Sequence, residues 1–508
     1  MSKKGICAFG GGKYNKTEIL KPGVTRMKRF LLLLWFLFGG WFIFSCPAAI
    51  KTVTVLQTSD LHCHFDPPTV VRLGAIAAGE TARAGGRDHV LLLDGGDLIQ
   101  GTFAATAGKG AVAVDFVNLL GYDLWTPGNH DFDFGFDVLA ARFRQFKGAV
   151  AAANLEAPGV KPYVIFRRNG VKIAVIGLTF PTLWRDLMPG EPPFRLEPFD
   201  TALARTIPAV MREKPDIIIL NVHYGISMSF ADPHNSLTAV AGSYPQINLI
   251  CGGHTHQVVA GRNIGFGVWY AEPGKHGEGI SVTELTFDTD AGRVTDAVTR
   301  FVTEPDNAKF VVPESFSAQL RHYRELENTV IGQTSAPITG SVRGVGSPLQ
   351  NLYGQALAAA GGTDYALVSP SLREPVTLNG PVTEGRLFAV APYDDMVYVI
   401  EVTAEELRQI VAEQLSWKVI PQRQLPWGFY ADCNNRGKLI GLRLPSNPAR
   451  CRVAVSGFIL KRGQAWFPVL AATKSVTDTG ITIREALRRY LNAHSPVAPD
   501  FTEWVTKP

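Results

Sequence analysis

From Lys51 to about Asp288, short apolar runs alternate with segments of helical spacing, the pattern of a chain passing repeatedly from strand to loop to helix. Thr52-Val-Thr-Val-Leu-Gln-Thr58 alternates and predicts a strand ending at Asp60-Leu-His62. Val90-Leu-Leu-Leu93 predicts a buried strand ending at Asp94-Gly-Gly-Asp97. Tyr122-Asp-Leu-Trp125 is a third, followed by Thr126-Pro-Gly-Asn-His-Asp-Phe-Asp-Phe-Gly135 and then by helical spacing from about Phe136 to Phe146. Lys172-Ile-Ala-Val-Ile-Gly177 and Asp216-Ile-Ile-Ile-Leu220 are further strands, the second ending at Asn221-Val-His223. Asn248-Leu-Ile250 ends at Gly252-Gly-His-Thr-His256. Five strand ends thus deliver Asp, His or Asn to the edge where α/β folds place their chemistry.

Pro313 to about Glu327 has helical spacing and predicts a helix bridging two halves, and Thr334 to Gly346, rich in Ser, Thr and Gly, predicts a hinge. A second unit follows, with Val397-Tyr-Val-Ile-Glu-Val402 as a strand and with helices opening at Thr403-Ala-Glu-Glu406 and Thr482-Ile-Arg-Glu485. A chain of 508 residues exceeds what one hydrophobic core supports. The expected organisation is a leader over residues 1–49, an α/β domain over 50–312, a linker helix and hinge over 313–335, and a smaller α/β domain over 336–508.

Composition refines this picture. With 46% hydrophobic and 19% charged residues the chain is globular, not disordered. Residues 1–29 carry eight Lys or Arg and one Glu, so the net +5 of the chain becomes about −2 for the remainder. That balance argues against a surface for a nucleic acid polymer. Lys28 and Arg29 flank the apolar run 30–38, Trp41-Phe-Ile-Phe44 follows, and Ala48 and Ala49 supply small residues. This is a secretory signal layout, with an apolar core too short for a comfortable membrane span. It predicts export to the periplasm or cell surface, with Met27 a candidate initiator; the rivals are an uncleaved membrane anchor and a lipid on Cys46. Export would permit a Cys433–Cys451 disulfide, whereas Cys63 and Cys251 either pair or stay as buried thiols. No CxxC spacing occurs, so cysteine is not the ligand type.

Asp60, His62, Asp97, Asn129, His223, His254 and His256 make seven N/O ligands, more than one ion takes, and so predict two divalent ions (Zn, Mn, Fe or Co). Asp97 is the natural bridge, since its two oxygens can hold cations roughly 3.5–4 Å apart. Such a pair polarises a phosphoryl oxygen and turns a trapped water into hydroxide near neutral pH. Asn129 ligates without adding charge. His130 can donate to a developing negative charge, and Asp133 can hold that imidazole in one tautomer. His64 fits no ligand slot, and Asp94 is expected to cap its glycine turn.

Asp60-x-His62, Gly95-Gly-Asp97, Gly128-Asn-His130, His223 and Gly253-His-x-His256 resemble the five blocks of the calcineurin-like metallophosphoesterases. Gly128-Asn-His-Asp-Phe-Asp133 and Asp94-Gly-Gly-Asp-Leu-Ile-Gln-Gly-Thr102 narrow the resemblance to the secreted 5′-nucleotidase/UDP-sugar hydrolase family. The resemblance implies a two-sheet α/β catalytic sandwich, a linking helix and a smaller α/β substrate-recognition domain. It places Asp60, His62, Asp97 and His256 on one ion, and Asp97, Asn129, His223 and His254 on the other. His130 and Asp133 match the family's catalytic dyad, His130 stabilising the transition state. Asp131 stands where Glu is common, a change expected to be harmless.

The same resemblance implies that the second domain grips phosphate with arginines and stacks a base between two rings. Arg373 in Ser369-Pro-Ser-Leu-Arg373 matches an arginine of the family, without its glycines, and Arg343 in the expected hinge is a candidate second phosphate contact; Tyr393 in Pro392-Tyr-Asp-Asp395 matches one ring and Phe458 in Ser456-Gly-Phe458 the other. The family's Gly-Gly-Asp-Gly-aromatic run is replaced by Arg462-Gly-Gln-Ala-Trp466, and each aromatic has plain core as its rival reading. The expectation is an exported dimetal hydrolase releasing phosphate from nucleotides by in-line attack of metal-activated water. The alternatives keep the metals and change the substrate, to a 2′,3′-cyclic nucleotide, a sugar nucleotide or a thiosulfate ester, or keep only nucleotide binding at the surface.

Overall fold

The computed structural model describes residues 50–182, 193–230, 232–340, 346–369, 376–418, 423–446, 448–460 and 467–507. The expected leader, residues 1–49, lies outside them. The first half is built on twelve strands: β1 (Ile50–Thr58), β2 (Val90–Asp94), β3 (Leu124–Trp125), β4 (Ala149–Val150), β5 (Tyr163–Arg168), β6 (Val171–Leu178), β7 (Ile217–Val222), β8 (Leu249–Cys251), β9 (Val258–Asn263), β10 (Trp269–Pro273), β11 (Ile280–Asp288) and β12 (Arg293–Val302). They form two six-stranded sheets, in the orders β12-β11-β1-β2-β3-β4 and β9-β10-β8-β7-β6-β5. The central pairs are parallel, β1 with β2 and β6 with β7 with β8, so their C-terminal ends open on one edge.

Both faces of these strands are buried, which is why their sequences read as nearly continuous apolar runs. Val55, Leu91, Leu93, Val175, Ile219 and Leu249 fill the space between the sheets. Leu56, Val90 and Leu92 face outward on the first sheet and pack with Val70, Leu73 and Ile76 of helix Pro67–Arg83 and Val114 and Val117 of helix Ala111–Leu120. Ala174, Ile176, Ile218 and Leu220 do the same on the second, beneath helix Phe199–Arg212. The result is a helix–sheet–sheet–helix sandwich, the two-sheet α/β architecture expected.

The second half is built on a five-stranded sheet, β15-β13-β16-β14-β17, with β13 Tyr365–Val368, β14 Met396–Val402, β15 Leu425–Trp427, β16 Cys451–Ser456 and β17 Val476–Thr482. Ala366 and Val368 belong to one apolar cluster, with Leu352 and Leu487 of the helices Pro348–Gly361 and Ile483–Ala493. Leu367 belongs to a second, with Leu407 and Val411 of helix Ala404–Ser416. The capping box at Thr403 and Glu406 opens that last helix. Helix Glu314–Glu327 packs through Phe316 on the first half.

The stretch read as a hinge is, in its described part, tied to distant chain: Thr334 N–H donates to Gly380, Ser335 N–H to Val497 and Gly340 N–H to Val376. Cys433 and Cys451 do not bridge; they are buried free thiols in one apolar cluster, as Cys63 and Cys251 are buried free thiols in the first half. Burial pushes the Cys63 thiol up to about 12, so it behaves as a small hydrophobe. No helix among the described residues is long and apolar enough to cross a membrane.

Candidate metal centre

The expected ligands leave their strands on turns with unusual backbone. Asp60, His62, Asp97, His254 and His256 have φ of 55°, 47°, 53°, 71° and 59°, the left-handed region that side chains other than glycine rarely adopt. Such strain persists only where surrounding contacts over-determine it, and it gathers at functional sites. Gly128 shows how tightly these loops meet: a Cβ there would fall 2.3 Å from Asp97 Oδ1 and 2.7 Å from His223 Cε1.

Two clusters of donor atoms result. Asp60, His62 and His256 bring theirs within 4.8 Å of one another, and so do Asp97, His223 and His254. Asp97 faces both: its Oδ2 lies 3.2 Å from His223 Nε2 and 3.7 Å from His62 Nε2. His256 Nε2 is 3.4 Å from Asp60 Oδ1, and His254 Nδ1 is 3.3 Å from His223 Nε2. The outer nitrogens are already used. His62 Nδ1–H donates to the Gln100 carbonyl at 3.0 Å and His223 Nδ1–H to that of Gly95 at 2.8 Å, which leaves each Nε2 lone pair pointing inward.

The residues fit a pair of cations on an independent ground. Asp60 Oδ1 and Asn129 Oδ1 are buried acceptors without a hydrogen-bond partner. Asp60 Oδ2, by contrast, accepts from Ser59 Oγ and from His254 N–H. A buried acceptor left unmet is costly, and a bound cation would satisfy both orphans.

The electrostatics point the same way. Burial pushes Asp97 up, but the imidazoles of His223, His130 and His62 outweigh it and hold its carboxyl well below the usual range. Burial likewise disfavours charge on His223, yet Asp97 and Asp60 lift it to about 10. His254, desolvated and beside His223, falls to about 4. The field that gathers protons here is the field that would draw a metal ion.

His130 sits on the adjoining loop, its ring 5.6 Å from that of His62. Its Nδ1 is 2.8 Å from Asp133 Oδ2, so Asp133 fixes the ring and leaves Nε2 for a ligand. Burial opposes charge on His130, but Asp97 and Asp133 raise it to about 9.

Asp94 accepts from Gly96 N–H and Thr58 Oγ, orienting the turn before Asp97. His64 joins neither donor cluster and stacks on His276, centroids 3.8 Å apart. Arg343, Arg373 and the stretch 462–466 lie outside the described residues. Tyr393 is 40% exposed, whereas Phe458 is partly buried against the apolar cluster under β14. Asp395 joins their loops, accepting from Ser456 Oγ and, at 2.8 Å, from Phe458 N–H.

Two residues were not found from sequence as site residues. Glu272, buried at the end of β10, accepts from Thr255 Oγ, from Gln257 N–H and, at 2.6 Å, from Tyr270 Oη, and so grips the loop bearing His254 and His256. An acid inside an otherwise apolar strand was the available signal. Asp131 is the other; its carboxylate is buried among backbone N–H groups.

Residues 53–258 match the calcineurin-like phosphoesterase family, and residues 330–456 match the 5′-nucleotidase, C-terminal domain. In these two segments the chain is similar to calcineurin-like phosphoesterases that carry a 5′-nucleotidase C-terminal domain. It is similar to the Trifunctional nucleotide phosphoesterase protein YfkN of Bacillus subtilis (strain 168), 26% identical over 418 residues, which cover 72% of this chain and 28% of that one. It is also similar to Protein UshA of Escherichia coli (strain K12), 25% identical over 519 residues, 88% of this chain and 92% of that one. The chain therefore spans less than a third of the first relative and nearly all of the second. The crystal structure of a 5′-nucleotidase precursor from Thermus thermophilus shares the fold, with a TM-score of 0.63 at 21% identity over 90% of this chain and 99% of that one.

Proposed function

We propose that this chain is an exported hydrolase that releases phosphate from nucleotides. The observation that carries the reading is the pair of donor clusters meeting at Asp97, with the His130–Asp133 pair beside them. Asp60, His62, Asp97 and His256 would hold one divalent ion, and Asp97, Asn129, His223 and His254 the other. Bound there, two such ions supply Lewis acidity toward a phosphoryl oxygen and a low-pKa water. The chain's own part is positional. His130 presents Nε2–H where negative charge builds on the phosphoryl group during in-line attack by water, and Asp133 keeps the ring from turning. Arg343 and Arg373 are proposed to grip phosphate, and Tyr393 and Phe458 to flank the base. The basic flank and apolar run before Ile50 support export, and nucleotides as substrate class rest on what YfkN and the Thermus thermophilus protein are called.

A second reading keeps the metals and changes the substrate. It is favoured by the sequence of the second domain, where Arg462-Gly-Gln-Ala-Trp466 stands in place of the family's Gly-Gly-Asp-Gly-aromatic run. Cyclic nucleotides, sugar nucleotides and thiosulfate esters are then the candidates. One experiment separates them: chain stripped by chelator, reloaded with Mn, Zn, Co or Fe, and assayed by chromatography of the products over all four substrate classes. Turnover fastest on a nucleoside 5′-monophosphate supports the first reading. Turnover confined to another class supports the second, and none with two ions bound refutes both.

A further inference from the structure

Asp131 lies between the proposed dyad residues, and nothing in the chemistry so far uses it. Its side chain is wholly buried and accepts four hydrogen bonds, all from peptide N–H groups. Oδ2 takes those of Asp97 at 3.1 Å and Gly128 at 2.8 Å; Oδ1 takes those of Leu98 at 2.8 Å and Ile99 at 2.9 Å. Three donors are consecutive residues of the loop after β2, and the first of them is the shared ligand itself. The fourth belongs to the loop of Asn129 and His130. In the opposite direction, His130 N–H donates to Asp97 Oδ1 at 2.7 Å. The two loops therefore close a circuit: the Asp131 carboxylate grips the backbone of Asp97, and the Asp97 carboxylate grips the backbone of His130.

This circuit accounts for the left-handed φ of 53° at Asp97. Three successive N–H groups can converge on one carboxylate only if the chain curls around it, and that curl turns the Asp97 side chain toward the imidazoles. A turn-stabilising acid needs one or two such bonds, within its own loop; Asp131 spends three on a loop more than 30 residues away.

We infer that Asp131 is the positioning residue of the metal centre, setting the spacing between Asp97 and the Asn129–His130 pair and with it the affinity for the ions they hold. This rests on the dimetal reading above. Asp131→Asn keeps the shape but turns an amide NH2 toward two N–H donors whichever way it faces. Asp131→Glu keeps four acceptor positions.

The test uses the full chain, stripped and then titrated with Mn²⁺ by calorimetry, with kcat and KM measured on p-nitrophenyl phosphate at saturating metal. Asp131→Asn is expected to bind at least one ion about 10- to 100-fold more weakly and to lose about as much kcat with KM within about threefold; Asp131→Glu should recover most of both. Wild-type affinity in Asp131→Asn, or a Glu variant as defective as the Asn variant, overturns the inference. Should Asp131→Asn fail to fold, hydrogen exchange on the wild type decides. Amides 97–99 should be protected before any metal is added, and free exchange until metal binds would mean that the ions, not Asp131, set the loop. A wild-type chain that takes up no divalent ion but keeps those amides protected refutes the dimetal reading and leaves Asp131 as the holder of the loop alone, overturning its role in affinity.

Discussion

An imidazole ligates well when its other nitrogen is already committed. His62 and His223 meet that condition through Gln100 and Gly95, so each is held in one tautomer and one orientation. His130 is held too, but by a carboxylate, and its free nitrogen is left for a reacting group. Replacing it separates the two jobs. His130→Ala should lower kcat by about 10²- to 10³-fold, the usual cost of one donor to a developing charge, while metal content measured by mass spectrometry stays at two per chain. Asp97→Asn should instead lose both ions together with activity. The donors gathered in the two clusters were legible one by one, because Asp and His at successive strand ends announce their chemistry by type. Asp131 was not, and its exchange for the more usual Glu looked harmless, because its partners are peptide groups, which no pattern of side chains reveals.

At the scale of elements, the strands were readable because burial on both faces leaves little room for polar residues, as in Val90–Asp94 and Val171–Leu178. Their ends were readable because the chain must leave the sheet through glycine and left-handed turns. What could not be read was pairing between distant segments. Thr334–Gly340 has the composition of a hinge, yet its backbone bonds go to residues 376, 380 and 497. The loops themselves yield two predictions. Gly128→Ala forces a methyl group into Asp97 and His223, and should abolish metal uptake while the circular dichroism of the sheets is retained. Glu272→Gln exchanges one acceptor for a donor facing Thr255 or Tyr270, and should weaken metal binding about tenfold in a calorimetric titration without changing KM.

At the scale of the whole molecule, the two halves touch through Lys109 and Phe103 of the first. Lys109 Nζ lies 2.8 Å from Asp394, which also accepts from Arg484 at 2.7 Å, and Phe103 meets Phe388 edge to face. Arg484 is 8% exposed and Lys109 48%, so the partners of Asp394 are unequal. Asp394→Asn should cost about 2 kcal/mol in chemical denaturation, less than a fully buried pair because Asp394 keeps some solvent. Lys109→Ala should change stability by about 0.5 kcal/mol or less. The proposed export is a whole-molecule matter as well: intact mass of the secreted product should place its first residue near Ile50, with no lipid attached.

Four sulfhydryls sealed inside the two halves, none joined to another, carry a practical consequence. Proteins of oxidising compartments commonly lean on disulfides for durability, and the described residues of this chain hold none. Its melting point should be indifferent to a phosphine reductant, with its sturdiness carried by packed apolar layers.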